Sequence, residues 1–245
     1  MIRFGATLVL FLVMLGGNAL AQSVNLDLGA KGDPGATAKM AQITALFTVI
    51  SLAPSLIVMV TAFTRIVIVL SLLRSALGAQ GTPPNLVLTG LELFLTYFVM
   101  QPTLDDVWTH ALLPMQQGKL DTMAGLQAGA EPFRAFMVAN LHPADLSNFM
   151  QIGHLPAGAD PSHPPWRALI PAFMVGELRR AFEMGFLLYL PFTVIDLVVA
   201  SVLMSLGMVM LPPNAISLPF KLIFFVMVDG WRLVADGLVE SFLAH

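Results

Sequence analysis

Four ionisable residues stand inside apolar runs that cannot hydrate them. Arg65 lies in V-T-A-F-T-R-I-V-I-V-L, Glu92 in L-E-L-F-L-T, Asp196 in T-V-I-D-L-V-V and Asp229 in V-M-V-D-G-W. A charge at bilayer depth costs at least about 2.5 kcal/mol on insertion scales, so each group demands a partner or water. Two chemistries are open: a relay or ion path, or structural ion pairs between helices or subunits. The charges are scattered and lack the His and carboxylate chains of proton relays, which favours structural pairs. Thr61, Thr64 and Arg65 share one face at helical spacing, with Ser71 further along, giving a polar stripe that should face protein. Asp196, Ala200, Met204 and Met208 follow at successive i+4 steps and form one ridge leading into a methionine cluster.

Other reactive chemistry is missing. No nucleophile elbow, zinc-protease helix, phosphate loop or dinucleotide fingerprint occurs. The five histidines, His110, His142, His154, His163 and His245, lack metal-ligand spacing. G-D-P-G at Gly32 reads as a turn, and G-L-Q-A-G at Gly125 lacks an apolar helix around its small residues. With no cysteine, disulfides and thiolate sites are excluded. No catalytic, cofactor or metal site is expected, and the chain does not read as an enzyme.

The elements that must hold these groups are greasy. Of 245 residues, 57% are hydrophobic and 11% charged, against about 25% charged in soluble domains. Lipid, or burial in a large assembly, must replace water around such a chain. A net charge of -3 without a Lys/Arg cluster argues against nucleic acid. Residues 1–21 read as a signal peptide: M-I-R-F, an apolar core shorter than the ~20 residues of a span, then small residues up to cleavage after Ala21. Residues 22–42 read as a flexible linker, placed outside the membrane in the periplasm of a Gram-negative cell.

Apolar runs follow at about 43–73, 86–100, 184–211 and 216–243. Three are long enough to span a bilayer and the second is marginal. The expected fold is all-α: an integral membrane protein with helical hairpins at 43–104 and 181–245 around a polar, helical extracytoplasmic segment, 105–180. Thr82-Pro83-Pro84-Asn85 and Leu211-Pro212-Pro213-Asn214 make the hairpin turns, and Pro54 is the expected interruption within a helix. An outside N-terminus puts Arg74 and Lys221 beside the inner turns, yet leaves Arg179 and Arg180 on the outer flank, against the positive-inside tendency.

Met204-Ser-Leu-Gly-Met-Val-Met-Leu-Pro-Pro213 concentrates methionine just before the second double proline. Met fills irregular gaps, and 15 methionines make some clustering expected, so core filling is the simpler reading on the residues alone.

Two long blocks carry a resemblance. One is P-S-L-I-V-M-V-T-A-F-T-R-I-V-I-V-L-S-L-L-R-S-A-L-G, Pro54 to Gly78, continuing into T-P-P-N and L-F-L-T-Y-F-V-M-Q-P. The other runs from P-A-F-M-V-G-E-L-R-R at Pro171 through M-L-P-P to S-L-P-F-K-L-I-F-F-V-M-V-D-G-W. Together they resemble the FliP family, the P subunits of the type III protein-export gate, with its injectisome counterparts. The resemblance implies a pore for unfolded export substrates that also nucleates the export apparatus. It implies five copies joined by Q-type and R-type subunits and other export-apparatus membrane proteins, in the bacterial inner membrane at the flagellar basal body. It further implies that the assembly sits largely above the bilayer plane. Glu177, Arg179, Arg180 and Glu183 would then be inter-subunit contacts, and Met204, Met208 and Met210 a soft ring that seals the pore. Two positions depart from the family: Gly176 stands where Ser or Thr is usual, and Val209 interrupts the methionines. The alternatives are a small-solute or ion transporter using Arg65, Glu92 and Asp196, and a scaffold with no pore.

Overall fold

The computed structural model describes residues 44, 47, 48, 51, 52, 55, 57–79, 81, 83–155, 163–208 and 210–243. The expected signal segment with its Ala21 cleavage, the linker at 22–42 and Pro54 lie outside them. The chain divides into two units, Met1–Ser51 and Leu52–His245. In the first, the hydroxyls of Thr48 and Ser51 each donate to the carbonyl four residues back, at 2.8 Å, as in a helix. The second unit carries the candidate site.

Among the described residues every regular element is helical. Helix α1, Phe63–Leu77, stops where Gly78 turns left-handed at φ 69°. Helix α2, Asn85–Val107, starts behind Pro84 and continues through a π-helical turn, Trp108–Leu112, into the short α3, Leu113–Gln116. Pro114 explains that turn: its ring cannot follow a regular α-helical carbonyl ladder. Helix α4, Thr122–Ala139, is capped by the Asp121 carboxylate, which accepts from the Ala124 amide at 2.8 Å. Then come α5, Pro143–Ile152, the 40-residue α6, Trp166–Ser205, α7, Pro213–Met227, and α8, Gly230–Leu243.

α1 forms the centre. Ile66, Val69, Leu70 and Leu73 are all but fully buried, and α1 packs chiefly along α6, with α2 alongside. Burying each such side chain contributes about 1.5–3 kcal/mol. Gly185 on α6 allows the close approach, since a Cβ there would collide with Leu72 of α1. A second core joins Met137 of α4 to Leu169 and Phe173 of α6.

The helices depart from the expected runs in three ways. α2 and α6 run unbroken through residues 104 and 180, so the polar middle segment shares helices with its neighbours. Pro102, Pro132, Pro171, Pro191 and Pro219 all sit inside helices, so Pro54 is not the only candidate interruption. The run 216–243 is not one helix. It breaks at Val228-Asp229, with Asp229 left-handed at φ 53°. Gly230 follows because a Cβ there would strike the Phe225 ring, itself edge-on to Trp231 at 5.2 Å.

Candidate functional site

Most of the singled-out charges are consumed inside the chain. Arg65 extends from α1 and meets Glu177 of α6 in a two-pronged pair: Nε donates to Oε2 at 2.9 Å, and Nη2 donates to Oε1. Its remaining nitrogen, Nη1, donates to the Ser241 hydroxyl at 2.8 Å and the Ser241 carbonyl at 3.0 Å on α8. The guanidinium also lies 3.6 Å from the Phe242 ring centroid. Both ionic side chains are 0% exposed. Planar Arg suits this place because its fork matches a carboxylate while its face rests on an aromatic.

A second pair ties the far end of α1. Lys221 of α7 donates to Asp196 Oδ2 of α6 at 2.6 Å and to the Ala76 carbonyl at 3.0 Å. Ser217, one turn back on α7, donates to Asp196 Oδ1 at 2.5 Å. Ala76 belongs to the last turn of α1, where carbonyls have no helical partner and the helix end favours a cation. One ammonium thus closes a helix terminus and neutralises a carboxylate.

The outer charges are looser. Arg179 donates to Asp145 Oδ1 at 2.7 Å, joining α6 to α5, while Asp145 Oδ2 is buried without a partner among the described residues. Arg74 bonds the Asn85 side chain across the first double-proline turn. Arg180 keeps one buried nitrogen without a partner among the described residues. Glu92 is 7% exposed on α2. Glu183 is exposed on α6.

Four expectations change. Glu177 faces inward to Arg65 and not outward to another subunit, because α1 covers that face of α6. Ser71 is exposed and leaves the polar stripe of Thr61, Thr64 and Arg65, which is buried. Asp229 occupies an exposed turn and not the middle of an apolar helix. Met208 leaves the ridge of Asp196, Ala200 and Met204, because α6 ends at Ser205. Sequence reasoning missed Asp145, Ser217, Ser241 and Phe242. Only Ser217 left a signal, one turn from Lys221 on the same helix face.

The methionine turn has a defined backbone. Gly207 is left-handed at φ 73°. The Gly207 amide donates to the Met204 carbonyl at 3.1 Å and the Met208 amide to the Leu203 carbonyl at 2.9 Å, the crossed pair that closes many helix C-termini. Leu211 then donates to the Met208 carbonyl at 3.3 Å, and Pro213 opens α7. Met204 is 63%, Met208 44% and Met210 98% exposed, so none of the three fills a core within the chain.

The described residues thus form a helical protein of membrane type, with Arg65 tied to Glu177 and Lys221 to Asp196 in its interior. Two helices, Asn85–Gln116 and Trp166–Ser205, are long and apolar enough to cross a membrane by length and composition. The chain belongs to the FliP family, whose sequence profile matches residues 46–238. It is 52% identical over 225 residues to the flagellar biosynthetic protein FliP of Caulobacter vibrioides, covering 91% of this chain and 84% of that one. It is 44% identical over 245 residues to the protein of the same name from Agrobacterium fabrum, covering 99% and 100%. With that of Bacillus subtilis it shares 42% over 217 residues, covering 89% and 98%.

Proposed function

We propose that this chain is a core subunit of the flagellar type III export gate. Copies of it, five on the family pattern, join Q-type and R-type sister chains around a pore. The pore conducts unfolded export substrates across the bacterial inner membrane at the basal body, and the ring nucleates the rest of the apparatus. The N-terminus lies on the periplasmic side after signal cleavage. Residues 43–104 and 181–245 act as the two helical hairpins, and the segment between them stands outside the cytoplasm.

The observation that supports this reading is the exposed methionine turn. Apolar side chains at the tip of a helix pair, held by Gly207 and two prolines, do nothing for the lone chain. Around a symmetry axis they make a compliant seal. Unbranched, polarizable Met closes on itself against ions and yields to a passing chain of any sequence, where Leu or Phe would fit one shape. Of the singled-out charges, Glu92, Arg180, Glu183 and Asp229 have no ion pair among the described residues and are left for neighbouring subunits to complete. The transporter alternative fares worse, since Arg65 and Glu177 satisfy each other with no exposed surface.

The test is the double variant Met208→Ala with Met210→Ala. Cells carrying it leak potassium ions while still secreting export substrate. A membrane as tight as wild type would overturn the seal. A Cys at Met208 forms disulfides between copies if the turn lines a lumen, and stays unpaired in a poreless scaffold.

A further inference from the structure

We propose that Gly207 is the positioning residue of the methionine turn, and that its left-handed backbone, not its lack of bulk, is what the turn requires. This rests on the gate reading above. Helical spacing alone would carry α6 through residue 208 and stack Met208 on the Met204 ridge. The structure does otherwise. At φ 73°, Gly207 reverses the chain one residue past the helix cap, and the Met208 amide folds back onto the Leu203 carbonyl. Met208 therefore leaves the ridge, and Met210 stands 98% exposed.

Among the described residues nothing lies within 4 Å of the position a Cβ would take at Gly207. Adding a side chain meets no obstacle among the described residues, so the cost of substitution is conformational. An L-residue resists the left-handed region, Asn least among the common ones and β-branched residues most. Ala shifts the balance from the seated turn towards a continued helix by about tenfold. The continued helix returns Met208 to the ridge and pulls Met210 from its place, with every methionine still present.

The experiment replaces Gly207 with Asn, Ala and Val in the full chain, co-expressed with its sister chains. Potassium leak from cells is read per complex assembled on a native gel. Backbone control predicts leak rising in the order Gly, Asn, Ala, Val. Control by size puts Asn above Ala, and that order would overturn the proposal. Should Val prevent assembly, the Asn and Ala pair decides alone. Met208→Ala with Met210→Ala runs alongside. If it leaks and the Ala and Val variants at 207 stay tight, this inference fails and the gate stands. If the methionine variant stays tight, both fall.

Discussion

The two halves of helix α6 obey different rules. The first half, from Ala168 to Gly185, buries Leu169, Phe173, Glu177 and Ala181 against α1 and its neighbours. The second half bears Leu187, Val194, Leu197, Val198 and Val202, each more than half exposed, and ends in the methionine turn. Composition runs against this contrast, for the covered half carries Glu177, Arg179, Arg180 and Glu183 while the exposed half carries only Asp196. The difference is what covers each. The first half is completed by its own chain, while the second presents grease for something else to cover. The Asp196–Lys221 pair lies within that second half and ties it to α7 and to the end of α1.

The strongest way to break the contrast is to strike the covered half. Arg65→Met leaves Glu177 ionic and unpaired in a sealed site, which costs about 3–5 kcal/mol. The melting temperature of the chain purified in detergent should fall sharply. Arg65→Met combined with Glu177→Met should recover most of the loss, because well-packed apolar side chains can replace a buried pair. If the double variant melts as low as the single one, the pair is not what holds α1 to α6.

A smaller effect is expected at the Asp196–Lys221 pair. Lys221→Met removes the cation from Asp196 and the donor from the end of α1, a loss of about 1–3 kcal/mol by the same melting assay. The Asp196 side chain is 31% exposed, so water recovers part of it. A loss as large as that of Arg65→Met would show that this pair is as sealed as the one in the core.

The smallest change sharpens the comparison by improving the covered half. Gly176 lies in α6, and a Cβ on it would stand 3.7 Å from the unpartnered Asp145 Oδ2. Gly176→Ser supplies a hydroxyl donor there and lowers the entropy cost of helix. Stability should rise by about 1 kcal/mol, with a melting point a few degrees higher. A lower melting point would mean that the carboxylate oxygen has no need of a donor.

Much of this was legible in the residues. The all-helical class followed from long apolar runs without alternation, and the family from two ordered blocks. Arg65, Asp196 and Lys221 stood out because apolar runs make any charge conspicuous. Their partners did not, since Glu177 is 112 residues from Arg65 and only the packed fold joins them. The resemblance puts Glu177 at a subunit contact, but shared residue order does not say which neighbour covers a helix face. The break at Asp229-Gly230 carried a turn signal that the surrounding hydrophobicity masked. Met208 was misplaced by extending helical periodicity past a glycine that a helix end readily uses.

Arg65 also sets a timetable. Its carboxylate is made 112 residues later and its serine 176 residues later. At ordinary ribosome speeds the guanidinium waits about 10–35 s for that serine, longer than any local helix takes to form. Until Glu177 has been made, the nascent chain must hold that cation beside lipid, water or a helper protein, and α1 gains its last polar partner only once Ser241 of α8 has been synthesised.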